Sequence, residues 1–224
     1  MTRILLTGFE PFLGRSVNPS WEAVRQLDGE VIGGAWVRAV RVPVVYEESV
    51  RVIAAELQRE PVEALIIGGL AYGRAAVNVE ALAHAVGDVP WSPDNSGLAL
   101  ANERSDGQPD GPDALLATAP VRAIASALNA AGIPAVVSWD GGAYVSNATL
   151  YGALRHARDA GLRLRATYLH VPALPEMTTG TSTASMPLAM IVSAFRIACE
   201  VLATHAGPDS VSRRWPTALS PLVG

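Results

Sequence analysis

The strongest constraint in this sequence is a set of short, mostly apolar runs closed by glycine or a turn. Residues 3–8 form one, and Ala64-Leu65-Ile66-Ile67 before Gly68-Gly69 forms another. Residues 135–138 and 164–171 add two more. A strand with one wet face alternates apolar and polar side chains, whereas a strand covered on both faces need not. Between these runs lie segments of helical period. Residues 46–59 form one. The helix opened by Pro120 repeats apolar residues at Val121, Ile124, Leu128 and Ala131 until Gly132 stops it. Further helices are expected over 20–27, with Ser20 as N-cap, over about 145–160 and over 186–204. Residues 37–42 read as another strand. Strands alternating with helices predict an α/β fold, a single-domain α/β/α sandwich with a mostly parallel central sheet and right-handed crossovers.

Two segments depart from that rhythm. Val77-Asn78-Val79-Glu80-Ala81-Leu82 alternates with strand period, which sends Glu80 to the face opposite Val77 and Val79. Residues 87–112 are rich in Gly, Pro, Asp and Asn and are expected to form a long loop with at most a short hairpin. Loops of that length often build binding sites. The 224 residues fit one domain, a catalytic unit over 1–206 followed by a polar, Pro-punctuated and loosely held tail over 207–224.

Composition narrows the function classes. Half the residues are hydrophobic and 17% are charged, which excludes wholesale disorder. A net charge of −4 gives no reason to expect nucleic acid or an anionic membrane as partner. No apolar run approaches the roughly 18 residues of a membrane span. The first run meets Gly8 and Glu10 too early for a signal peptide. One cysteine cannot close an internal disulfide, so a cytoplasmic location is expected. That residue, Cys199, borders the helical stripe Ile191, Phe195, Ala198 and Leu202 and reads as a buried small hydrophobe. His84, His156 and His205 share no ligand-like spacing, so neither metal nor other cofactor is expected. Gly68, Gly69 and Gly73 lack the Lys-Ser/Thr element of a phosphate loop, and no G-x-S-x-G elbow surrounds Ser146.

Three polar residues stand where open α/β sheets collect function, beyond strand ends. Ser146 follows a strand and the turn Gly141-Gly142, near a helix start. His170 ends an apolar strand in Tyr168-Leu169-His170-Val171-Pro172, and Glu80 lies in the alternating segment. Nucleophile, histidine and orienting carboxylate are the parts of covalent acyl transfer. A helix N-terminus adds free N–H groups and partial positive charge that steady an oxyanion. Spacing alone leaves the plainer readings open, a cap serine and a structural histidine.

Longer stretches carry a resemblance. Gly8-Phe9-Glu10-Pro11-Phe12 with Asn18-Pro19-Ser20, then Gly69-Leu70-Ala71-Tyr72-Gly73-Arg74, Glu80 and Pro93-Asp94-Asn95, resemble blocks of the pyroglutamyl peptidase type I family. Pro120 to Ile124, Gly132-Ile133-Pro134-Ala135, the residues around Ser146, His170-Val171-Pro172 and Ser185-Met186-Pro187-Leu188 continue the match in order. The resemblance implies a Cys–His–Glu peptidase that removes N-terminal pyroglutamate from peptides, without a cofactor. It implies His170 as base and then acid, and Glu80 as the carboxylate that orients it. Phe9 and Phe12 become apolar walls for the flat lactam ring, with Asn18 and Leu70 beside them. Relatives are often dimers or tetramers, so a homo-oligomer is implied.

The chain departs from that family at its centre, where Ser146 stands in the place of the catalytic cysteine. A hydroxyl cannot be drawn down to its anion as a thiol can, so low turnover is expected. An introduced Cys→Ser replacement accounts for the intact flanking residues; a natural serine variant or a non-catalytic pyroglutamate binder is the alternative. A serine amidase acting on another small lactam is a third reading. Leu70 stands where many relatives carry glutamine, and no arginine precedes Pro93-Asp94-Asn95. The Gly/Ser/Thr-rich stretch 178–185 is either a lid or a plain connector.

Overall fold

The computed structural model describes residues 2–205 and 207; apart from Gly207, the expected tail lies outside the described residues. In chain order the elements are β1 Arg3–Phe9, α1 Pro19–Val24, β2 Val31–Ile32, β3 Ala35–Val42, α2 Tyr46–Arg59, β4 Ala64–Leu70, β5 Val77–Glu80 and β6 Leu82–His84. There follow β7 Val86–Gly87, β8 Glu103–Arg104, β9 Ala114–Leu116, α3 Val121–Ala130, β10 Ala135–Ser138, α4 Val145–Asp159, β11 Arg165–Val171 and α5 Leu188–Thr204. Seven strands form the main sheet in the order β10-β5-β11-β4-β1-β3-β2.

The apolar runs occupy the middle of that sheet, as their composition requires. All seven residues of β4 are buried, and so are six of the seven in β1 and in β11. Side chains alternate between two cores. Ile4, Leu6 and Ile66 join residues of α1, α3 and α5 on one face, while Leu5, Leu65 and Ile67 join α2 and α4 on the other. Each fully buried Leu or Ile contributes on the order of 1.5–3 kcal/mol. Close approach of helix to strand needs glycine at two points. A Cβ on Gly8 would lie 2.6 Å from Trp21 Cα of α1, and one on Gly68 would lie 2.5 Å from the Phe195 ring of α5.

The sandwich is the one expected, and its sheet is mostly parallel, with β5 and β10 as the chief exceptions. β1 pairs in parallel with β3 and β4, and β4 with β11, whereas β5 runs antiparallel to β11 and carries β10 parallel to itself. The reason is loop length. A parallel return takes a crossover of roughly a dozen residues or more, and residues 71–76 between β4 and β5 are too few. The chain therefore turns straight back.

Local corrections follow the same physics. Asn18, not Ser20, caps α1: its Oδ1 accepts from the Ser20 N–H at 3.2 Å, and Pro19 occupies the first turn. The stretch 87–112 is a long loop with one short ladder, β8 against β7, as expected, and β9 pairs with β6 just beyond it. These two-residue and three-residue ladders are too short to leave an apolar period in the sequence.

Candidate active site

Three neighbouring strands set the base of the site. Glu80 at the end of β5 is in register with Tyr168 of β11 on one side and with Ser138 at the end of β10 on the other. His170, two residues beyond Tyr168, shares its face of the sheet. That places the Glu80 and His170 side chains together, and His170 Nδ1 lies 2.7 Å from Glu80 Oε1. Both are buried, Glu80 at 1% exposure and His170 at 4%. Val77 and Val79 enter the opposite core, as the strand period predicts.

Arg74 completes the carboxylate's surroundings. Its Nη1 donates to Glu80 Oε1 at 3.1 Å and its Nη2 donates to the Asp140 carbonyl at 3.1 Å. One guanidinium thus joins the carboxylate to the loop that leads into α4. In that loop Gly142 takes φ +76°, a value open to glycine, and its N–H donates to Asp140 Oδ1 at 2.8 Å. The turn delivers Ser146 to the first turn of α4. The helical ladder begins with the Ala148 N–H donating to the Tyr144 carbonyl at 3.2 Å, so the N–H groups of residues 145–147 precede it. Asn147 anchors this helix start to β6, accepting from the His84 N–H at 3.0 Å and donating to its carbonyl at 2.7 Å.

A narrow pocket opens in front of Ser146. Phe9, Phe12, Asn18, Val44, Gly69, Leu70, Tyr144, Val145 and Tyr168 line it with Ser146. Phe9 packs against Tyr168 with ring centroids 6.3 Å apart, and Phe12 against Tyr144 at 6.2 Å. Asn18 lines the wall with its amide already engaged, donating to the Glu10 carbonyl at 3.0 Å and accepting from the Ser20 hydroxyl at 2.9 Å. It fixes the loop that carries Phe9 and Phe12. A second clasp comes from Asp94 and Asn95. Asn95 Nδ2 donates to Glu10 Oε1 at 2.7 Å and to the Pro11 carbonyl at 3.0 Å, while Asp94 accepts from the Tyr46 N–H at 3.1 Å.

All seven residues singled out in the sequence therefore gather here. Phe9, Phe12, Asn18, Leu70 and Ser146 share the pocket, and His170 and Glu80 form the buried pair beside it. Gly69, Arg74 and Tyr144 join them from the family-like stretches, where no role had been given to them, and Val44 and Tyr168 join without a signal of their own. Cys199 lies elsewhere, wholly buried against α5's core neighbours, and burial pushes its thiol pKa far above the ordinary value. A small hydrophobe is what it is.

A hydroxyl at a helix N-terminus, a histidine held by a buried carboxylate and an apolar slot make up the arrangement of acyl-transfer hydrolases of the nucleophile–histidine–carboxylate class. Comparison with known proteins narrows the class. The family described as pyroglutamyl peptidase matches residues 2–205. A pyrrolidone-carboxylate peptidase of Gloeobacter violaceus is 41% identical over 201 residues, covering 89% of this chain and 96% of the relative. One from Chromobacterium violaceum is 40% identical over 206 residues, covering 92% and 94%. The crystal structure of pyroglutamyl peptidase I from Bacillus amyloliquefaciens superposes with a TM-score of 0.88 at 33% identity, over 92% of this chain and 98% of that one. The chain belongs to the pyroglutamyl peptidase family.

Proposed function

We propose that this chain hydrolyses the amide bond that follows an N-terminal pyroglutamyl residue in peptides. The observation that carries the reading is the 2.7 Å contact between His170 Nδ1 and Glu80 Oε1, buried beside Ser146 and its Phe-walled pocket. The lactam ring is flat and uncharged, so Phe9 and Phe12 suit its faces. Ser146 Oγ attacks the pyroglutamyl carbonyl as His170 Nε2 takes its proton, with Glu80 accepting from Nδ1–H. The oxyanion meets the N–H groups at the start of α4. His170 then protonates the leaving amine, and water, deprotonated by His170, hydrolyses the acyl-enzyme to free pyroglutamate.

Oxygen at position 146 slows this route. A thiol gives its proton to the neighbouring imidazole before attack and is held as thiolate beside the imidazolium, whereas serine must lose its proton during attack. Release of a chromogenic amine from a pyroglutamyl anilide tests the reading. Ser146→Cys is expected to be faster than the parent chain by orders of magnitude under reducing conditions. His170→Ala in that background is expected to lose on the order of 10²–10⁴ or more. Ser146 itself favours a second reading, a pyroglutamate binder without turnover. Pyroglutamate binding to both chains with turnover by neither establishes that one.

We place the protein in the cytoplasm as a homo-oligomer, a dimer or tetramer. The lone thiol of Cys199 is buried and unbridged. Among the described residues no helix is long and apolar enough to cross a membrane. The edge strand β10 exposes Val136 and then Trp139 at its end, an apolar edge that isolated monomers avoid. Sedimentation analysis of the parent chain and Trp139→Glu checks this, with a shift to monomer expected for the variant.

A further inference from the structure

Leu13 stands in the left-handed region at φ +52°, where residues other than glycine are uncommon. Gly14 follows at φ +70°, and the Arg15 N–H donates to the Phe12 carbonyl at 3.1 Å. Positive φ at both central residues makes residues 12–15 a tight turn of the primed kind. The turn folds Arg15 back over the wall that precedes it. Its guanidinium carbon lies 5.6 Å from the centre of the Phe12 ring and 4.9 Å from that of the Tyr72 ring. Phe12 lines the pocket with Ser146, and Tyr72 comes two residues after Leu70, which lines it too. The Tyr72 hydroxyl donates to the Met177 carbonyl at 3.4 Å, which ties in the loop after β11. Arg15 is half-buried and spans the rim between the loops that follow β1 and β4. Stacking on aromatic rings engages the faces of a guanidinium and leaves the N–H donors at its edge. Among the described residues no carboxylate pairs with it. The other cations beside the site are taken, Arg41 by Glu10 at 3.8 Å and Arg74 by Glu80 at 3.1 Å.

We propose that Arg15 is a specificity-determining residue, which pairs with a carboxylate carried by the residue that follows pyroglutamate in the substrate. The inference rests on the pyroglutamyl reading and deepens it. With the lactam ring in the apolar slot, the rest of the peptide leaves over the rim. Its first carboxylate is either the α-carboxylate of a dipeptide or the side chain of an Asp or Glu. Both stand within a few bonds of the scissile nitrogen, and both offer two oxygens to the guanidinium fork. The two rings already hold the Arg15 side chain in place, so little rotamer freedom is lost when it binds. The molecule as a whole carries a net charge of −4, which disfavours an anionic peptide. A preference for such a peptide therefore needs a local, unpaired cation, and Arg15 is placed to be that cation.

Two peptide pairs test the role in the Ser146→Cys chain, with pyroglutamate release followed by chromatography under reducing conditions. One pair is pyroglutamyl-alanine and its C-terminal amide, which reads the α-carboxylate. The other is the C-terminal amides of pyroglutamyl-glutamate and pyroglutamyl-glutamine, which reads the side chain. In at least one pair the carboxylate peptide is expected to be favoured roughly three- to tenfold in kcat/KM, through KM and not kcat. Arg15→Met keeps an apolar cover over Phe12 and is expected to bring that ratio to about one, whereas Arg15→Lys keeps part of it. Raising salt from about 0.05 M to about 0.5 M is expected to shrink the ratio while Arg15 is present. A ratio near one in both pairs with Arg15 in place, or a ratio that survives Arg15→Met, overturns the proposal and leaves the substrate assignment standing. If Arg15→Met cleaves no peptide, the other two readings decide: a ratio kept by Arg15→Lys and reduced by salt supports the role, and anything else overturns it. If the Ser146→Cys chain itself cleaves no peptide, the pyroglutamyl assignment fails. Calorimetric titration of the parent chain with pyroglutamyl-alanine and its amide then decides alone. Tighter binding of the acid that is lost in Arg15→Met supports the role, and equal affinity or no binding overturns it.

Discussion

The Nδ1–Oε1 contact between His170 and Glu80 joins residues 90 positions apart, and it also holds the imidazole tautomer. Glu80→Gln keeps the shape but turns an acceptor into an amide that can present N–H to Nδ1. In the Ser146→Cys background kcat is expected to fall on the order of 10²–10⁴ with KM within a few-fold, measured with the pyroglutamyl anilide. Asp94 carries a stability prediction. Burial acts to raise its pKa, but the Ser96 hydroxyl and the N–H groups of Tyr46, Leu98 and Ser96 outweigh it and hold the carboxyl below the usual value. A carboxyl depressed in the folded state stabilises the fold above its unfolded pKa, near about 3.9, and loses that contribution as pH falls through the folded value. Asp94→Asn is expected to lose about 1–3 kcal/mol at pH 7, with the gap to the parent chain closing below about pH 4. Urea unfolding at pH 7 and at pH 3 measures both. At this scale Ser146 and His170 stood out beside turn and strand-end signals that left plainer readings open, while Phe9 and Phe12 were singled out only through the family resemblance. Tyr168 was not, since a tyrosine in an apolar run looks like core, and only the facing Gly69 reveals a polar tip with somewhere to point.

Elements carry the next set of forces. Helices α2 and α4 pack on the same face of the sheet, and their contact is set by Gly152 of α4 against Val50 of α2. A Cβ at 152 would lie 2.5 Å and 2.7 Å from the two Val50 methyl carbons. Alanine favours a helix over glycine by about 1 kcal/mol, but overpacking destabilises by about 1–3 kcal/mol. Gly152→Ala is therefore expected to lower Tm by a few degrees, and Val50→Ala in the same chain is expected to restore most of the loss. Differential scanning calorimetry of the single and double variants checks the pair. Helix α2 was predicted at its observed bounds, Tyr46–Arg59, because periodicity and length agree there. The direction of β5 was not foreseen, although the six residues before it already forbade a parallel return.

For the molecule as a whole, the pocket is a junction of segments far apart in the chain. The loop after β1 brings Phe9 and Phe12, the end of β4 brings Gly69 and Leu70, and the start of α4 brings Tyr144, Val145 and Ser146. A ligand seated there ties all three to the folded state. Pyroglutamate at about 100 times its Kd is expected to stabilise the protein by about 2.7 kcal/mol, roughly 5–10 °C in Tm. Phe12→Ala is expected to abolish that shift while leaving the unliganded Tm within a few degrees, since Phe12 is only partly buried. Thermal melts with and without pyroglutamate read both values. Which segments become buried strands, which faces of the helices turn inward and which residues can attack, accept a proton or wall a flat ring were determined by the sequence alone. Those properties depend on residue type and on periods of two and 3.6, which act over a few neighbours. That Ser146 shares a pocket with Tyr168, that Glu80 meets His170 from a reversed strand, and that Tyr168 finds room over Gly69 were decided only by the tertiary structure. Strand order and register bring these groups together, and no local pattern specifies either.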